Sequence, residues 1–272
     1  MEVYNQDNYK DKSDKFRNPR PKYFTTGQTV TFFLLGFAGF QFLGTIVGNL
    51  LFATGWYGTP DNIDFLSYRL LITYLIITLL LIILSYIFNP KKFLANFKEL
   101  KSLKKWSFIL LGFLIIYSVA LVIGMLQTQM YAWLNIEQTV NTNQSGLNSI
   151  MSSHPVLLVF VVSVLAPITE EITYRQGLFE IVRPKSKIWA YVTSIVIFSI
   201  IHFDIAGSFL AGGNGFNIDS DTLITELISL PAYVGGAWVL TYVYDHENNV
   251  ISDILVHGLY NFAGIMISLL IK

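Results

Sequence analysis

Glu170, Glu171, Arg175, His202, His257 and Asn261 all lie within stretches of sequence that are otherwise apolar enough to cross a bilayer. Ionisable groups are expensive in such a setting, so each one marks a functional site by default. The set suits hydrolysis. A desolvated carboxylate can act as a general base on water, and an imidazole opposite it can share that proton or orient the water. A second histidine with an asparagine can hold a developing oxyanion. Two histidines and a glutamate also make a reasonable zinc set with one open position, and the residue types alone fit either reading. Blander readings apply to the neighbours. Glu171 and Arg175, four apart, suit an ion pair on one helix face. His154 and His246 read as solvated loop residues, Glu226 as an interfacial acid at the start of a span, and Gly235-Gly236 as close-packing residues. Other hydrolase signatures fail: Gly207-Ser208 is not followed by glycine, Gly213-Asn214-Gly215-Phe216 lacks an aspartate, and His246-Glu247 has Val250 where a zincin helix needs histidine.

Spacing gathers the polar residues at one depth. Arg183-Pro184-Lys185-Ser186-Lys187 reads as the tip of a helical hairpin, with Glu170 16 residues before Ser186 and His202 16 residues after it. At about 1.5 Å per residue both stand on the order of 20 Å from the tip. His257 and Asn261 are four apart and share a helix face, roughly 12 and 18 Å from Asn249. Adjacent glutamates point about 100° apart, so one of them faces His202; that role falls to Glu170 and the ion pair to Glu171.

The elements that carry these residues follow from composition. Of 272 residues, 53% are hydrophobic and 13% charged, with mean hydropathy +0.52, which excludes a water-soluble globule. Charges balance at 18 against 18, so no global field attracts nucleic acid. Cysteine is absent, which removes disulfide scaffolds, zinc fingers and thiol nucleophiles. The expected fold is all-α, a polytopic membrane bundle of about seven transmembrane helices. The spans are Tyr23–Pro60 (apolar body Val30–Ala53, an uncleaved anchor), Leu66–Phe88, Trp106–Met130, Pro155–Val182, Ile188–Phe203, Leu223–Tyr244 and Val250–Ile271. The count becomes eight if Pro231 and Gly235-Gly236 divide the sixth.

Basic residues set the orientation. Six occupy the N-terminal tail, six the loop after span 2, and three the turn at 183–187, whereas 54–65, 131–153 and 204–221 have none. Basic loops stay in the cytoplasm, which puts the N-terminus inside and the C-terminus outside. Arg69 is expected to snorkel beside Trp56 and Tyr57. Segment 91–106 reads as an amphipathic helix on the inner leaflet, and residues 1–22 as a disordered cytoplasmic tail. Spans 1 to 3 carry few polar groups, so residues 23–152 read as a lipid-facing half and residues 153–266 as the working half.

Glu170-Glu171-(x3)-Arg175, Phe198-(x3)-His202 and His257-(x3)-Asn261 resemble the three motifs of the CPBP family, the CAAX-protease and bacteriocin-processing (Abi) membrane proteins related to Rce1-type prenyl endopeptidases. The approach to the last motif, Gly235-Gly236 through Tyr244 and then Val250–His257, is also similar. The resemblance implies an intramembrane endopeptidase in which Glu170 and His202 activate water, His257 and Asn261 stabilise the oxyanion, and Glu171 and Arg175 support them. It implies a bilayer and a membrane-associated peptide or protein substrate as partners, with a bacterial plasma membrane as the location. Part of the family is labelled metalloprotease, so zinc on Glu170, His202 and His257 stays open as a cofactor. Asn261 has a task only without the metal, which favours the metal-free reading. A non-catalytic immunity or scaffold protein of the same fold is the alternative. A proton-coupled transporter fits less well, because the polar groups are confined to one half.

Overall fold

The computed structural model describes residues 21–55, 57–202 and 220–270, and among these residues all regular structure is helical. The tail up to residue 20, Trp56, the connection 203–219 and residues 271–272 lie outside the described residues. So do most of the predicted tail, the ends of the fifth and seventh predicted spans, and the two Gly-containing motifs between 207 and 216.

Helix α1 (Thr26–Thr54) starts at a reciprocal cap, in which the Thr25 hydroxyl accepts from the Gln28 amide and the Gln28 side chain from that of Thr25. Its end is Gly55, at φ +66°, a left-handed backbone that glycine adopts without strain. Asn62 caps α2 (Ile63–Phe88), and Asn89 with Pro90 starts the short α3 (Pro90–Glu99). Then follow α4 (Leu103–Leu134), α5 (Thr142–Ser153), α6 (Pro155–Val182), α7 (Lys187–Ile200), α8 (Ser220–Glu247) and α9 (Val250–Leu270).

Among the described residues, six helices are long and apolar enough to span: α1, α2, α4, α6, α8 and α9. The fifth predicted span is present as the shorter apolar helix α7, 14 residues among those described, and its expected end at Phe203 lies outside them. Pro231 does not divide the sixth, because α8 runs through it; beside the turn where the proline removes a donor, Gln127 Nε2 donates to the Ile228 carbonyl at 2.9 Å. The amphipathic segment is present as α3, and the connection 131–153, expected as a plain loop, contains α5.

Half of the apolar window of α6 is buried, against 17% to 33% for the other five, so α6 is the central helix. Lipid gives helices no hydrophobic reason to associate, and close approach depends on small residues. A Cβ at Gly36 of α1 would stand 1.7 Å from Thr173 Oγ1, and one at Gly177 would stand 2.8 Å from the Phe33 amide nitrogen. Those two glycines seat α1 against α6. Gly235 presses α8 on Val119 and Ile123 of α4, as its sequence reading expects. Arg69, expected beside Trp56 and Tyr57, is half-buried; its Nε donates to the Gly44 carbonyl at 3.0 Å and the side chain lies against Gly44 and Gly48, while Trp56 lies outside the described residues.

Candidate active site

Helix α6 has two wide π turns, at Val161–Leu165 and Ile172–Phe179, on either side of Glu170-Glu171. Single-turn π segments often mark functional sites because they turn side chains off the regular ladder. In the first, the Ala166 amide bonds the Val161 carbonyl five residues back. The next rung would run from residue 167 to Val162, but Pro167 has no N–H. Asn261 of α9 fills that place, its Nδ2 donating to the Val162 carbonyl at 2.8 Å. One turn earlier on α9, a Cβ at Gly258 would stand 2.6 Å from the Ser163 carbonyl oxygen, so only glycine admits this approach. Pro167, Gly258 and Asn261 together fix α9 against α6 at the level of the glutamates.

His257 then falls between the two carboxylates. Its Nδ1 lies 2.7 Å from Glu171 Oε1, and its Nε2 lies 3.9 Å from Glu170 Oε2. An ionised carboxylate only accepts, so Nδ1 carries the hydrogen and Nε2 is left for the cavity. Glu171 is fully buried and also faces Arg175, 3.1 Å from its Nε. The expected pair of Glu171 and Arg175 is present, and it does more than neutralise charge: the same carboxylate orients His257. Arg175 lies over the Phe198 ring at 4.6 Å, with Nη2 near the Ala237 carbonyl.

His202 follows the end of α7, and its Nδ1 bonds the Phe198 carbonyl at 2.8 Å, which again leaves Nε2 free to face inward. Phe198 is in ring contact with both histidines, at 4.8 Å from His202 and 6.1 Å from His257. Tyr233 of α8 stacks on His202 at 4.7 Å, and its hydroxyl accepts from Asn141 and Asn143 beside the start of α5. Glu170, His202, His257 and Asn261 all line one cavity of about 790 Å³, with Tyr74 and Tyr233 in the same wall.

The structure thus brings together every residue singled out from the sequence, and adds three. Tyr74 of α2 points its hydroxyl at Glu170 Oε1, 3.4 Å away, so the first half of the chain also contributes to the site. A tyrosine in an apolar span has no sequence signal of its own. Tyr233 is equally silent. Asp253, fully buried on the first turn of α9, lies 3.9 Å from Arg175, and its signal was the four-residue step to His257. The bland readings change as well. Glu226 is buried and accepts from the Thr142 amide at 2.8 Å, so it anchors α5 rather than sitting at the interface. His154 pairs with Asp64 at 2.7 Å, and His246 stacks on Phe108 near the end of α8.

Among the described residues, no three His, Cys, Asp or Glu groups converge as a metal's ligands. The expected zinc set of Glu170, His202 and His257 does not converge as three ligands, although each histidine, bonded through Nδ1, keeps Nε2 toward the cavity.

The fold and the site define a polytopic helical membrane protein with a glutamate- and histidine-lined cavity between its later helices. Residues 152–263 match the model of the Rce1-like family, described as type II CAAX prenyl endopeptidase Rce1-like. The relatives are UPF0177 proteins of Lactococcus lactis subsp. lactis (strain IL1403). YvdC is 26% identical over 204 residues, covering 74% of this chain and 67% of its own. YbdI is 26% identical over 195 residues, 71% of this chain and 92% of its own. YxdF is 28% identical over 131 residues, 47% of this chain and 61% of its own. No solved structure gives a significant match.

Proposed function

We propose that the protein is an intramembrane endopeptidase that hydrolyses peptide bonds of membrane-associated proteins or peptides with a water activated by Glu170 and His202. The observation that carries this reading is the convergence of Glu170, His202, His257 and Asn261 on one cavity within an Rce1-like domain. Glu170 takes a proton from water as the oxygen attacks the scissile carbonyl, and the same proton then passes to the leaving amine. His202 holds that water through Nε2. Asn261 spends one amide hydrogen on Val162 and keeps the other for the oxyanion. His257, oriented through Nδ1 by Glu171, joins Asn261 in stabilising the same oxygen. Tyr74 keeps Glu170 aimed into the cavity. The bacterial relatives favour a non-prenylated bacterial membrane substrate.

The test is a comparison of new protein N-termini, read by mass spectrometry, after bacterial membrane extract is incubated with the purified protein or with Glu170→Gln. Termini made by the first and not by the second support an endopeptidase. Identical patterns favour the non-catalytic immunity or scaffold reading.

A further inference from the structure

Tyr233 has no part in the hydrolysis above, yet it joins His202 to a helix that walls the cavity. On one side its ring lies nearly parallel to that of His202, with centroids 4.7 Å apart and planes at 21°. On the other, its hydroxyl accepts from Asn141 Nδ2 at 3.1 Å and from Asn143 Nδ2 at 3.2 Å. A phenylalanine in an apolar helix would stack as well, so the hydroxyl is the part that needs a partner. It finds that partner at the start of α5.

Both neighbours depend on contacts from outside their own helices. His202 stands two residues past the end of α7, and among the described residues one hydrogen bond, from Nδ1 to the Phe198 carbonyl, fixes the edge of its ring. A bond at one edge leaves a ring free to tilt, so its faces decide where Nε2 aims. Phe198 meets that ring at 41°, whereas Tyr233 lies along it. Helix α5 has 12 residues, mostly polar, and a helix of that length is marginal by itself. Helix α8 holds its start: Glu226 accepts from the Thr142 amide at 2.8 Å, and the Thr225 and Thr139 hydroxyls pair at 2.9 Å. Tyr233 stands about two turns along α8 from Glu226, on the same face. Once seated, α5 presents Asn143, Gln144, Leu147 and Asn148 to the cavity.

We propose that Tyr233 is a positioning residue with two separable tasks: its ring sets the plane of His202, and its hydroxyl seats α5 against the space the substrate occupies. An imidazole that holds the attacking water has to stay within about 10–20° of its working orientation. The stacked face of Tyr233 supplies that limit. Asn141 serves helix and tyrosine together, since its Oδ1 accepts from the Gln144 amide and so caps α5 while its Nδ2 donates to the hydroxyl. One side chain thus belongs both to the wall that meets the substrate and to the support of the residue that meets the water. The catalytic consequence rests on the hydrolase reading above; the placement of ring and hydroxyl does not.

Carbon–proton NMR of the detergent-purified full chain, labelled at histidine and assigned with His202→Gln, reads the stack. A proton over an aromatic face resonates upfield, so the His202 ring signals should move downfield in Tyr233→Leu and stay in place in Tyr233→Phe. Amide hydrogen exchange over α5 should be roughly tenfold faster in Tyr233→Phe, which keeps the ring and loses both asparagine bonds. A peptide spanning a cleavage site mapped as above then separates the two tasks. Tyr233→Leu should lower kcat on the order of tenfold to a hundredfold. Tyr233→Phe should raise KM at least about threefold with kcat little changed. Unmoved His202 signals in Tyr233→Leu, unchanged α5 exchange in Tyr233→Phe, or kcat lost equally in the two variants would overturn the proposal. If Tyr233→Leu does not fold, Tyr233→Met, which fills the space without a flat face, takes its place in each comparison. Cleavage that survives Glu170→Gln would sink the hydrolase reading, and the NMR and exchange results would still uphold or overturn the placement of Tyr233.

Discussion

Glu170 and Glu171 are neighbours in sequence with opposite surroundings, and their substitutions should separate. Glu170 faces the cavity beside Tyr74 and His257, with no buried counter-charge resting on it among the described residues, so Glu170→Gln should leave expression and melting temperature intact and abolish turnover, because an amide accepts no proton. Glu171→Gln removes the counter-charge of a fully buried Arg175 and the acceptor of His257, so a loss of stability of about 3 kcal/mol is expected along with the activity. Thermal melts in detergent beside a cleavage assay check both; a stable, inactive Glu171→Gln would exchange the two roles. Asn261→Ala should show both effects at smaller size, about 1 to 2 kcal/mol of stability for the orphaned Val162 carbonyl and a reduced kcat. The site was legible in sequence to the extent that a polar residue stands out against an apolar helix. Glu170, Glu171, Arg175, His202, His257 and Asn261 do so. Tyr74 and Tyr233 do not, because a tyrosine packs in lipid or core for reasons that have nothing to do with a site.

Helices α6 and α9 meet through backbone features that composition hides. The sequence shows Pro167 but not the wide turn before it, since the π register depends on which carbonyls the neighbouring helix can satisfy. It shows Gly258 as one small residue among several, while the structure puts it against the Ser163 carbonyl. Gly258→Ala should push α9 off α6 and cost about 1 to 3 kcal/mol, with loss of cleavage, whereas Gly264→Ala, where a Cβ meets open space, should be near neutral. Melting curves of the two variants make the comparison. At the other end of α9, Glu99 of α3 holds Asn249 at 2.7 Å and Lys105 at 3.0 Å. Burial alone would raise the Glu99 carboxyl, but the Asn249 hydrogen bond and the Lys105 ammonium outweigh it and hold it below the ordinary carboxylate value. A depressed carboxyl stabilises the fold above its unfolded value of about 4.3 and loses that contribution as pH falls through the lower folded value. The melting temperature should therefore fall more on acidification below about pH 4 in wild type than in Glu99→Gln. Equal acid sensitivity in the two would remove Glu99 from the latch between α3 and the α8–α9 turn.

The whole molecule is organised around α6, and the earlier helices close it from one side. Alternating apolar runs were sufficient to place the six long helices, because length and hydropathy alone decide what can span. They could not foresee that α5 folds as a helix over polar sequence, since part of its capping comes from Glu226 of α8. The spatial arrangement also links orientation to access. The cavity that holds Glu170 and His257 is walled at one end by Gln138, Asn143, Gln144 and Asn148, a neutral amide rim next to α5. The lysines of α3 and of the α3–α4 connection lie toward the opposite end of α9, where Glu99 and Lys105 meet the α8–α9 turn. By the distribution of positive charge, the lysine end is expected in the cytoplasm and the amide rim outside, which predicts that a substrate enters from the outer face. The chain has no cysteine, so single cysteines report cleanly. Ser145→Cys on exposed α5 should react with a membrane-impermeant thiol reagent in intact cells, and Lys98→Cys on exposed α3 only after permeabilisation. Labelling of position 98 but not 145 in intact cells would invert the molecule and put the mouth of the site on the cytoplasmic side, where only newly made or cytosolic peptides could enter it.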